Sequence, residues 1–142
     1  MTQSKTNADP LHLGIGPHEG RECELMLRGL KPLAAFSDVT THCHHFPEAE
    51  FAPHVAAGRI VTREETLALP DDKLAIRCLY YALPNEAWRI AAAHILKKAL
   101  FLGQREPVES DDIALGRLLG YAEEDIQAFL HHTRKAKARR LG

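Results

Sequence analysis

The chain is short of aromatics and cysteine: one tryptophan, three cysteines and 6% aromatic residues in 142. It has no Cys-x-x-Cys pair and no His-Glu-x-x-His, so no standard zinc module is written in it. A phosphate-binding Walker loop, a Gly-x-Ser-x-Gly elbow and a Gly-x-Gly-x-x-Gly after a strand are also missing, which lowers the weight of the common enzyme classes. Cys23, Cys43 and Cys78 are odd in number and irregular in spacing, as expected of reduced thiols in the cytoplasm. No long apolar run exists, because the stretch from Ile90 to Leu102 is interrupted by His94, Lys97 and Lys98. Met1 to Pro10 lacks an apolar segment, so neither an export signal nor a membrane span is expected.

What is present is an ordinary globular composition, 45% hydrophobic and 26% charged. A chain of this length buries roughly 68–70% of its unfolded surface on folding, enough for one domain over residues 1–142. The ends read as loose extensions, 1–10 because they are polar and rich in turn-formers, 134–142 because they are basic. Net charge is −1, unevenly spread. Arg134, Lys135, Lys137, Arg139 and Arg140 lie in the last nine residues, which leaves 13 bases against 19 acids in the rest. That balance disfavours nucleic acid along the body and confines any electrostatic footprint to the tail.

The pattern along the chain predicts an α+β fold. Cys23, Met26, Leu27 and Leu30 repeat at helical spacing and predict a helix over 18–29, stopped by Gly29 and Pro32. Leu33 to Phe36 reads as a strand. Pro47, Glu48 and Glu50 open a helix over 47–57 that Gly58 ends, with Phe51 and Val55 inward. A strand opening at Ile60-Val61-Thr62, a turn at Pro70-Asp71-Asp72 and a strand over 74–83 form a hairpin. Asn85 is placed to cap a helix over 86–102, whose apolar stripe of Trp88, Ala91, Ala92, Ile95, Ala99 and Leu102 is expected to face the sheet. Ser110 caps the next helix, Leu118-Leu119-Gly120 ends it, and a last helix from Glu123 buries Ile126, Phe129, Leu130 and Thr133. The order α-β-α-β-β-α-α-α gives a small, mostly antiparallel sheet of about three strands packed by helices.

Thr40-Thr41-His42-Cys43-His44-His45 concentrates donor atoms. The first helix and strand have matched lengths of roughly 18–20 Å, so the strand end should return to the helix start. There His18 and Glu22, at i and i+4, would meet His42 and His44, which share a side if that segment is extended. Two or more imidazoles with a carboxylate suit zinc or another divalent transition metal, or without metal a general acid and base. Against this, a histidine-rich loop is more often a solvated turn, and Cys43 beside its histidines seldom makes nucleophile geometry. His54 reads as a helix-surface contact with Glu50, His94 as a hydrogen-bonded boundary residue, and Cys23 and Cys78 as small buried hydrophobes. A helix-turn-helix reading of the last two helices is opposed by Glu123, Glu124 and Asp125, which would meet phosphate.

These features favour a small cytoplasmic binding or regulatory module without covalent chemistry, whose partner is a protein or a small ligand between sheet and helices; a homodimer is left open. The alternative is a metal-binding protein or metal-dependent enzyme using His18, Glu22, His42 and His44. The third reading is a nucleic-acid-associated protein acting through Arg134, Lys135, Lys137, Arg139 and Arg140.

Overall fold

The computed structural model describes residues 18–70 and 74–141. The arm expected over 1–10 and the turn residues Asp71 and Asp72 lie outside them. The element order is α1 (Glu22–Leu27), β1 (Leu33–Val39), a 3-10 turn (Thr40–His45), α2 (Glu48–Ala56), β2 (Val61–Ala68), β3 (Ala75–Ala82), α3 (Trp88–Phe101), α4 (Glu109–Leu118) and α5 (Glu123–Leu141). The three strands form one antiparallel sheet in the order β1-β3-β2. Fold class and element order are those expected from the sequence.

β3 is the central strand and the most hydrophobic, and both of its faces are covered. In register, Ser37 of β1 and Glu65 of β2 flank Cys78, while Ala35 and Arg63 flank Tyr80. Alternation along the strands divides the core in two. On one face Ala34, Leu79 and Tyr81 pack with Cys23, Met26, Phe46 and Phe51 from α1, α2 and the segment between. Phe51 and Tyr81 stack with ring centroids 3.9 Å apart. On the other face Leu33, Cys78, Tyr80 and Ala82 pack under Ile90 and Ala93 of α3. Arg77 closes the first face with 2.8 Å bonds to both Glu48 carboxylate oxygens and a 2.6 Å bond to Glu64.

α1 is shorter than expected. It ends where Gly29 turns to φ +74°, with Gly29 and Leu30 N–H groups donating to Met26 and Leu25 carbonyls. Leu30 therefore lies past the helix, and of the expected stripe only Cys23 and Met26 are buried. At α4 the cap is Asp111 rather than Ser110: its buried carboxylate accepts the Val108 N–H at 2.8 Å and Arg105 at 2.6 Å. Residues 134–141, expected to be loose, continue α5, and Arg134 pairs with Glu109 at its root.

α3 differs most from expectation. Asn85 falls in a 3-10 turn over Pro84–Glu86 and supplies no side-chain cap. The residues on the sheet are Ile90, Ala93, His94 and Lys97, at i, i+3, i+4 and i+7, whereas Trp88 and Ile95 are 58% and 71% exposed. The cause is the sheet itself. The strand face under α3 carries Ser37 and Tyr80, whose hydroxyls need partners when covered. A helix face bearing His94 and Lys97 satisfies both.

This orientation predicts a reversal of the usual size rule in α3. Trp88→Ala should cost less than about 1 kcal/mol, while Ile90→Ala, which opens a cavity against the sheet, should cost about 2–5 kcal/mol. Urea unfolding of the two variants measures both.

Candidate functional site

The histidine-rich segment is a 3-10 turn rather than an extended strand. At about three residues per turn, His42 and His44 are carried to different sides. His42 Nδ1 lies 3.0 Å from Thr41 Oγ1, and His45 Nε2 lies 3.7 Å from the Asp38 carboxylate. Cys43 turns inward and its thiol donates to the Val39 carbonyl at 3.2 Å. The chain does double back, since Phe46 shares a core with Cys23 of α1. His18, however, contacts Lys31 and Tyr121. Among the described residues no group of three or more His, Cys, Asp or Glu is placed to hold a metal, so His18, Glu22, His42 and His44 do not form a ligand shell there. His54 meets Arg59, whose Nε donates to its Nδ1 at 3.2 Å, instead of Glu50.

His18 and Glu22 belong to a different constellation. Lys31, only 1% exposed, lies in the link between α1 and β1. Its Nζ donates to the Leu119 carbonyl at 2.7 Å and lies 2.8 Å from His18 Nδ1. It also sits over the Tyr121 ring, 4.8 Å from the centroid, and His18 packs on the same ring at 4.4 Å. Removal from water drives the Lys31 ammonium down to about 8, with the Glu22 charge opposing. Burial, then the positive charges of Lys31 and Arg21, lowers His18 to about 4. Burial raises Glu22 and Tyr121. The links that follow α1 and α4 meet at this joint: a Cβ on Gly120, at φ +83°, would fall 2.4 Å from Pro32 Cδ.

A second polar cluster lies between α3 and the sheet. Tyr80 Oη and His94 Nδ1 are 2.8 Å apart, and Lys97 Nζ donates to Ser37 Oγ at 2.7 Å. Burial raises the Tyr80 phenol and lowers both His94 and Lys97. Only His94 of this group carried a signal in the sequence. Ser37 beside Asp38, Tyr80 beside Tyr81 and Lys97 beside Lys98 carry no periodicity that marks them as one cluster.

The outer face of α3 is a third feature. Trp88, Ala91 and Ile95 are exposed on one side of the helix, and Arg89 stacks on the Trp88 ring at 4.8 Å. In the tail, Lys135, Lys137, Arg139 and Arg140 are exposed along the last turns of α5. No protein-family model matches the chain, and comparison with curated proteins and with solved structures gives no match either. No helix among the described residues is long and apolar enough to cross a membrane.

Two predictions follow from the Lys31 joint and its companion cluster. Burial lowers both His18 and His94, so the unfolded chain binds protons more readily than the folded one. The His18 contribution to stability is complete above the unfolded value of about 6.5 and is lost as pH falls toward about 4, and the His94 contribution is lost in the same direction. Glu22, raised in the fold, works against this, whereas Asp111 and Glu48, lowered by arginine, add losses only at lower pH. Chemical unfolding should therefore show stability falling between pH 6.5 and 4.5, with a shallower fall in His18→Gln. The second prediction is that Gly120→Ala, forced into a left-handed conformation against Pro32, destabilises by more than about 1–2 kcal/mol, read from its thermal midpoint.

Proposed function

We propose that the protein is a binding module whose partner is another protein, docked on the outer face of α3. The observation that carries this reading is that Trp88 and Ile95 are exposed at i, i+7 on a helix whose opposite face is fixed to the sheet. Large apolar side chains at that spacing, with Ala91 and Ala92 between them, are the anchors of helix-in-groove recognition. Exposed tryptophan is expensive to leave in water and is enriched at contact sites.

The charges beside the stripe indicate the kind of partner. At about 100° per residue, Lys98 lies to one side of the line through Trp88 and Ile95, and Arg89, on the other, is paired with Glu86 at 2.8 Å. A second copy would bring two Lys98-edged faces together. The complementary surface is an apolar one bordered by carboxylates. The helix is 14 residues long, about 21 Å, and one face of it offers less than the roughly 800 Å² per partner of a standard stable complex. Docking here is accordingly transient, as suits a regulatory module. The metal reading has no ligand shell among the described residues. The nucleic-acid reading rests on the basic turns of α5 alone, behind an acidic first turn of Glu123, Glu124 and Asp125.

The test combines self-association with site-specific capture. Sedimentation of the pure chain at tens of micromolar should show a monomer. A dimer dispersed by Trp88→Asp would make the second copy the occupant and end the hetero-partner reading. A photo-crosslinking amino acid placed at Ala92 should give one dominant adduct in cells. That adduct should vanish in the Trp88→Asp, Ile95→Asp chain and weaken with Lys98→Glu. An adduct pattern indifferent to these changes, in chains whose circular dichroism is unaltered, would overturn the proposal.

A further inference from the structure

The inner face of α3 holds groups that docking on its outer face does not use. Ser37 stands on β1, an edge strand, on the side of the sheet that α3 covers and in register with Cys78. Its Oγ is 2.7 Å from Lys97 Nζ. Lys97 lies over the Tyr80 ring, 5.9 Å from the centroid, and Tyr80 is fixed at its hydroxyl by His94, one turn before Lys97 on the same helix. A nucleophile, a base in hydrogen-bond reach and a third group that positions the base are thus present in one contact layer.

Burial works against the charged form of Lys97. An ammonium presents three donors, and Ser37 Oγ is its hydrogen-bond acceptor here. Among the described residues Lys97 has no ion pair with a carboxylate, in contrast to Arg77, Arg105 and Arg134. The groups that face it are Ser37 of β1, Cys78 and Tyr80 of β3 and His94 of α3; Glu65 and Arg63 of β2 lie one strand further away in register. None of the near groups is a carboxylate, and burial lowers the amine's proton affinity, with Cys78 acting in the opposite direction. A neutral amine at this distance accepts the Ser37 hydroxyl proton, reversing the direction of the hydrogen bond. Both residues are half-buried rather than sealed, at a sheet edge that pairs with no further strand among the described residues.

We propose that Ser37 is a nucleophile activated by Lys97 as general base, acting on acyl esters or activated amides that approach over the edge of β1 that no strand pairs among the described residues. In the first half-reaction Ser37 Oγ bonds to the carbonyl carbon while its proton passes to Lys97 Nζ, and the carbonyl π pair moves onto oxygen. Collapse of that tetrahedral species breaks the bond to the leaving group, which takes the proton from Nζ. Water then attacks the acyl-serine, with Nζ again accepting and returning a proton, so the balance is ester plus water to acid plus alcohol. Tyr80 and His94 are positioning residues, holding the stem and head of Lys97 in place.

The experiment is labelling of the full chain with an alkyl fluorophosphonate between pH 6 and 10, the adduct being located by peptide mass spectrometry. The expected result is one adduct on Ser37, absent in Ser37→Ala and formed at least ~100-fold more slowly in Lys97→Met. Its rate should rise with pH and level off below the ordinary lysine range. Absence of an adduct on Ser37 in the wild-type chain, or labelling of Lys97→Met at the wild-type rate, would overturn the proposal. If Lys97→Met does not fold, the 13Cε shift of Lys97 in the intact wild-type chain decides: titration below 10.5 supports the neutral base, and titration at or above 10.5 removes it.

Discussion

The Lys31 ammonium, withdrawn from water and shared between a helix end and an imidazole, is the constraint on which the rest of the arrangement depends. An effective penalty of several kcal/mol for burying such a charge has to be offset by good geometry, and each partner here comes from a different stretch of chain. Leu119 offers a carbonyl left without an intrahelical donor at the end of α4, Tyr121 a ring face, and His18 a nitrogen lone pair. Two residues after the lysine, Leu33 is wholly buried and starts β1 opposite Ala82. The joint thereby sets the entry point of an edge strand whose register then places Ser37 under α3.

Local signals made the architecture legible. Glycines at positive φ end α1, α2 and α4 where the sequence placed their stops, and the β-rich residues Ile76, Cys78, Tyr80 and Tyr81 after the Pro70 turn made the hairpin readable. The orientation of α3 was not legible, because reading a helix by its apolar stripe assumes that the surface beneath it is apolar as well. Here the strands carry Ser37 and Tyr80, and the helix answers with His94 and Lys97. The histidine cluster misled for a related reason. Its geometry depends on whether the backbone is extended or wound, and six residues of Thr, His and Cys contain no pattern that separates the two. Lys31 and Tyr121 lie far apart in sequence, in turns with no periodicity, so their meeting is a property of the packed fold alone.

α3 mixes chemistry on its inner face. Ile90 and Ala93 pack on the sheet beside His94 and Lys97, whose hydrogen bonds are strengthened by the low dielectric there, while Trp88 and Ile95 are turned out. This orientation is held because each of the two inward polar side chains meets a strand hydroxyl. It leaves the outer face open to a partner, so the proposed docking and the Ser37–Lys97 contact occupy opposite sides of one rigid element.

The strand order has a consequence for how the chain reaches this state. β2 and β3 are neighbours in sequence and close as a hairpin, with Leu69 N–H on the Leu74 carbonyl, but β1 must find β3 across the histidine turn and α2. Closing that longer loop comes at an entropic cost before any core contact repays it. The hairpin therefore closes at the lower entropic cost and the β1–β3 pairing at the higher one. Whenever β1 is not paired, the free side of β3 is a strand edge of Ile, Leu and Tyr that another chain can occupy, so crowding of copies works against the correct partner strand.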